Sequence, residues 1–80
     1  MSTNIFWRPE NSGNLLIGEL KSILKNSGYF KNSDQEVLSY SELSMLKAIK
    51  SASTDENTVS DCETIIKAIN QHDRIVVYLS

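Results

Sequence analysis

Arg74-Ile75-Val76-Val77-Tyr78-Leu79 is the stretch on which the reading of this chain turns. β-branched and aromatic side chains dominate it, which is the composition of a strand. No residue from Ile75 to Leu79 is charged, so neither face of that strand suits water. A strand with two apolar faces belongs in the middle of a sheet, covered on both sides or completed by a partner.

The segment before it reads as a helix. Cys62, Ile65, Ile66 and Ile69 recur at i, i+3, i+4 and i+7, one apolar stripe. Ser60 and Glu63 have capping-box spacing, with Asp61 between them, so the spacing predicts a start at Ser60 and an end at Gln71-His72-Asp73. Glu63 and Lys67 are placed to pair across one turn of the exposed side. Residues 52–59 then read as a polar loop. Further back, Leu43, Leu46 and Ile49 define a second helix, capped near Ser41 and running to about Ser51, with Met45 and Ala48 widening its apolar face. Val37 falls on the opposite side of that helical face. Residues 36–39 are therefore expected to be a short extended segment, although Ser33 and Glu36 also have capping-box spacing.

At the other end, Asn4-Ile5-Phe6-Trp7-Arg8 reads as a strand stopped by Pro9, and the proline predicts an edge position. Leu16, Leu20, Ile23 and Leu24 recur at i, i+4, i+7 and i+8 and predict another helix, ended by Asn26-Ser27-Gly28. Gly18 within it is costly in a helix and marks a close approach by a neighbouring element. The order is β-α-(β)-α-α-β. The expected fold is α+β: a small two- or three-stranded sheet formed by the terminal strands, with about three helices packed on it.

Bulk properties narrow the function. The chain has 80 residues, enough for one domain spanning 1–80. Cores of this size are marginal, and natural examples lean on a disulfide, a metal or a partner. One cysteine and one histidine leave no internal disulfide and no structural zinc site. The net charge of −2 gives no electrostatic reason to sit on nucleic acid or an anionic membrane. Neither a signal-peptide pattern nor a long apolar run is present. The unpaired cysteine fits a reducing compartment, so the expected location is cytoplasmic.

Individual candidates for chemistry have stronger bland explanations. The loop Glu10–Asn14 contains Gly13 but lacks the second glycine, lysine and hydroxyl residue of a phosphate-binding loop. His72 and Asp73 fit a helix C-terminus, and no nucleophile is patterned beside the histidine. Cys62 lies on an apolar stripe, where a free cysteine acts as a small hydrophobe. No catalytic, cofactor or metal site is expected. Helices two and three do not form a helix-turn-helix, because their connection is too long and the third opens on acidic residues.

Partner binding is the remaining class. Asp55, Glu56, Asp61 and Glu63 form an acidic cluster able to meet a basic partner. Phe6 and Trp7 point to opposite faces of a short strand, as Val76 does from its neighbours, and with Tyr78 they offer apolar surface to a partner. The helix and strand from residue 60 to Leu79 resemble in outline the end of small bacterial nuclease inhibitors of the barstar type. None of that group's acidic or aromatic inhibitory motif aligns here, so no residue role follows from the likeness. The expected function is a non-enzymatic protein-binding module: an inhibitor, an immunity or antitoxin-like factor, or a phage-type regulator. The alternatives are a self-associating subunit pairing through the strand at Arg74–Leu79 or at Asn4–Arg8, and a domain binding a small anion at Glu10–Asn14.

Overall fold

The terminal strand occupies the middle of the sheet, as its two apolar faces require. A computed structural model describes residues 4–11, 18–21 and 35–79. In chain order its elements are β1 (Ile5–Pro9), β2 (Gly18–Leu20), β3 (Gln35–Leu38), a 3-10 turn (Tyr40–Glu42), α1 (Leu43–Ala52), α2 (Glu56–His72) and β4 (Ile75–Leu79). The four strands form one antiparallel sheet in the order β2-β1-β4-β3. The fold is thus a small α+β domain, with four strands and two helices among the described residues in place of the two or three strands and three helices expected.

Alternation sorts the strand residues between two faces. Ile5, Leu20, Leu38, Ile75 and Val77 lie on one face and are buried against Leu46 of α1 and Cys62, Ile65, Ala68 and Ile69 of α2. Trp7, Leu43, Ile49, Ile66 and Leu79 pack around that core. The apolar periodicities of both helices therefore point inward as expected. Met45 and Ala48 do not: both are exposed, because the sheet reaches only the narrower stripe Leu43–Leu46–Ile49.

Three sequence expectations are corrected. Gly18–Leu20 is a strand where a helix was expected. The rest of that helix, including Leu16, Ile23, Leu24 and Gly28, lies outside the described residues. Leu20 is buried under either arrangement, so an apolar spacing of four residues was compatible with both. The extended segment near residues 36–39 is present as β3, outermost of the described strands beside β4.

β1 is the second correction, being interior and not an edge. Glu10 donates its amide to the Arg74 carbonyl at 3.0 Å, which makes 10/74 a hydrogen-bonded pair. By alternation Pro9 and Ile75 then form a non-hydrogen-bonded pair, so the nitrogen of Pro9 points away from β4. On that other side the described pairing with β2 covers Ile5 to Trp7, and Pro9 lies just past it.

The third concerns α2, which begins at Glu56 rather than Ser60. Asp55 is its N-cap: the carboxylate accepts from the Thr58 amide at 3.3 Å and from the Thr58 hydroxyl at 2.9 Å. Ser60 is an interior helical residue, and the polar loop shrinks to residues 53–55. Glu63 pairs with Lys50 of α1 at 3.4 Å, not with Lys67.

The close approach read from Gly18 is real, although it occurs in a strand. Trp7 stands directly opposite Gly18, and a Cβ built there would lie 2.6 Å from Cε2 of the indole. No side chain fits without moving the ring. Gly18→Ala is expected to lower stability by about 1–3 kcal/mol, the usual cost of overpacking. Urea unfolding followed by the fluorescence of the single tryptophan measures it, and an unchanged midpoint would contradict the packing described.

Candidate partner-binding surface

Two groups of residues were candidates for partner contact, and the fold treats them differently. The sheet face away from the helices carries Phe6, Arg8, Glu19, Gln35, Val37, Val76 and Tyr78. Phe6 and Tyr78 are direct cross-strand neighbours with ring centroids 5.9 Å apart. Val76 stands between Arg8 on β1 and Val37 on β3. Three of the expected partner-binding residues, Phe6, Val76 and Tyr78, are therefore brought together on one face. Trp7 is on the other, against the helices.

Of the four acidic residues, Asp61 is not at the surface. Asp55 caps α2, Glu56 begins it and is exposed, and Glu63 holds Lys50. Asp61 turns inward and is only 2 % exposed. Its two carboxylate oxygens accept the same backbone N–H, that of Lys21, at 2.8 and 2.9 Å. This bond ties the second turn of α2 to the residue that follows β2. A carboxylate expected to compensate a helix dipole thus satisfies a backbone donor at a strand end.

Cys62, the next residue, is fully buried. Burial pushes its thiol up, and the negative charge of Asp61 adds to the shift. A raised thiol value means little thiolate, so this cysteine is a packing residue and a poor nucleophile.

At the β3 end, exposure is concentrated in one stretch. The exposed large apolar side chains among the described residues are Val37, Tyr40 and Met45, at 36 %, 54 % and 41 %. Val37 lies on the outer strand, Tyr40 opens the 3-10 turn, and Met45 follows in the first turn of α1. Sequence reasoning missed them as surface because aromatic and aliphatic residues are core candidates by default. The one signal for Val37 was its position off the helical face of Leu43, Leu46 and Ile49.

The turn that presents Tyr40 is well braced. Glu42 reaches back so that Oε2 accepts the Ser39 amide at 2.7 Å, the Ser39 hydroxyl at 3.1 Å and the Ser41 hydroxyl at 2.9 Å. Burial pushes the Glu42 carboxyl up, but these donors outweigh it and hold it below the usual carboxylate range. The Tyr40 hydroxyl donates to Asp73 Oδ1 at 3.0 Å, and this bond and the adjacent negative charge raise the phenol. Asp73 itself has φ 68° and ψ −50°, and the Arg74 amide donates across it to the His72 carbonyl at 2.8 Å. That is a γ-turn with positive φ, a strained form, placed between α2 and β4. His72 ends α2, as expected, and its role here is to supply that carbonyl.

Of the loop Glu10–Asn14, only Glu10 and Asn11 are among the described residues; Glu10 Oε1 meets Arg74 Nε at 3.4 Å. Among the described residues no three His, Cys, Asp or Glu side chains form a group able to hold a metal ion. No described helix is long and apolar enough to cross a membrane. No protein-family model, curated protein or solved structure matches the chain.

Two measurements check this electrostatic picture. Asp61→Ala leaves the Lys21 amide without its acceptor and is expected to cost about 1–3 kcal/mol, with Asp61→Asn, which keeps one carbonyl, costing less. Equal stability of all three chains in urea would sink that assignment. For Glu42, a folded value below the unfolded one contributes stability above the unfolded value, lost as pH falls through the folded one. Glu42→Gln is therefore expected to flatten the acid limb of the stability profile between those two values. Thermal unfolding at a series of acidic pH values reads it, and an unchanged slope would remove the effect.

Proposed function

We propose that this chain is a non-enzymatic protein-binding module, of the inhibitor or regulator kind, acting in the cytoplasm. The observation that carries the reading is where the exposed apolar surface lies. Val37, Tyr40 and Met45 come from one short stretch beside an outer strand of the sheet, while Leu46, Ile65, Ile69, Ile75 and Val77 are fully enclosed. Single exposed apolar residues are ordinary, but several close together in the chain favour an interaction surface.

The chemistry of the individual candidates supports the same reading. The buried thiol of Cys62 is held protonated, and Asp61 is engaged with a backbone amide. The half-buried Phe6 and Tyr78 extend apolar character across the sheet face next to Val37, while Val76 itself is buried. An aromatic and a methionine at a protein surface are well suited to contact, because both offer large area at low conformational cost or high adaptability. A nucleic-acid partner gains no support from the charge balance of −2.

Affinity capture with the full chain from its native host, quantified against a Tyr40→Ser/Met45→Gln variant, tests the proposal. A stoichiometric protein is expected with the wild type. The variant is expected to recover it with about tenfold weaker affinity, equivalent to roughly 1.4 kcal/mol. Equal recovery by the two chains, or no stoichiometric protein with either, would count against this surface.

A further inference from the structure

Neither strand expected to pair with a second copy, at Asn4–Arg8 or at Arg74–Leu79, has a free edge, because β1 and β4 are interior. A different feature of the β3 end carries further. The turn before α1 is tied to the turn after α2 by a side-chain bond, from the Tyr40 hydroxyl to Asp73 Oδ1 at 3.0 Å.

Asp73 is ill suited to its place on three counts. Its φ of 68° and ψ of −50° form a γ-turn that glycine adopts freely and a side chain resists. It is the C-cap of α2, so its carboxylate sits at the negative end of the helix. Its bond to Tyr40 is exposed to water, where a hydrogen bond adds least to stability. The turn itself is held by backbone groups, the Asp73 amide donating to Ile69 and the Arg74 amide to His72, both at 2.8 Å. Those bonds need no side chain at position 73. The strain of a non-glycine residue there exceeds what one exposed bond returns. Among the described residues no cation pairs with this carboxylate, so what the aspartate adds to the turn is its hold on Tyr40.

The other end of Tyr40 is already fixed. It opens the 3-10 turn that Glu42 braces through Ser39 and Ser41. With the backbone held at one end and the hydroxyl at the other, the ring keeps few rotamers. An exposed aromatic set in place beforehand escapes the ordering cost that a free side chain incurs on binding.

We propose that Asp73 is a positioning residue, holding the exposed Tyr40 ring in one orientation for a protein partner at a loss of stability. The inference rests on the protein-binding reading for the purpose of that ring, and it names the residue that sets the ring's pose.

Asp73→Gly in the full chain separates position from stability. It is expected to unfold at a higher urea concentration than the wild type, because the turn loses its Cβ and the helix end its negative charge. NMR of the chain labelled at tyrosine, with Tyr40 identified by Tyr40→Phe, gives the second reading. The Tyr40 phenol is expected to titrate at lower pH in Asp73→Gly, because the bond and the charge that raise it are gone. In affinity capture from the native host, the protein recovered by the wild type is expected to bind Asp73→Gly about fivefold more weakly, the cost of ordering one free side chain. Asp73→Asn keeps an oxygen for the hydroxyl and is expected to retain the capture. A urea midpoint no higher in Asp73→Gly, or an unmoved Tyr40 titration, overturns the proposal. So does equal capture by Asp73→Gly of a protein that Tyr40→Ser/Met45→Gln loses, an outcome that leaves the protein-binding reading standing. Recovery of no protein by any of the chains ends that reading, and this inference with it.

Discussion

The ladder on both sides of β4 is the constraint on which this structure depends. Ile75 and Val77 have to be dry on the helix side, and Val76 is dry on the other. Only an interior position satisfies the backbone of such a strand while hiding its side chains. Once β4 is interior, β1 and β3 become its two neighbours. The helix stripes Leu43–Leu46–Ile49 and Cys62–Ile65–Ile69 then have one apolar face to cover. The strained turn at Asp73 follows from the same demand, because α2 must end and reverse within two residues for Ile75 to enter the sheet.

The perimeter is held by polar bonds of unequal kind. At the β2 end, Asp61, itself buried, reaches out of α2 to hold the amide of Lys21, forty positions away. At the β3 end the ties are a part-buried one from Ser39 to Glu42 and exposed ones from Ser41 to Glu42 and from Tyr40 to Asp73. A charged acceptor in a buried site is worth more than the same bond in water, and its loss costs more. The β3 end carries the exposed Val37, Tyr40 and Met45.

Capping boxes show why local signals were only partly legible. The Ser-x-x-Glu spacing occurs at Ser33–Glu36, Ser39–Glu42, Ser53–Glu56 and Ser60–Glu63. In the structure Glu36 is in a strand, Glu56 follows the cap Asp55, Ser60 is inside a helix, and among the described residues only Ser39–Glu42 forms a turn held by that pairing. The spacing is necessary for the bond, but the choice among sites is made by whether the neighbouring apolar residues reach the core. Asp61 repeats the lesson at the candidate site. In sequence it is one acidic residue among several near a helix start; its buried role depends on Lys21, forty positions away.

What the sequence by itself determined was the character of each apolar stripe. The two-faced strand at the end, the inward faces of two helices, an extended segment at Val37 and the close approach at Gly18 all follow from side-chain type and spacing, which act over a few residues. Tertiary structure alone decided the order of the strands, the interior place of β1 despite Pro9, the strand at Gly18–Leu20 and the exposure of Val37, Tyr40 and Met45. Those outcomes depend on which distant backbone groups satisfy one another and on how far the sheet extends beneath the helices. Neither is written in any short stretch of the chain, because hydrogen-bond partners and coverage are properties of elements brought together from across it.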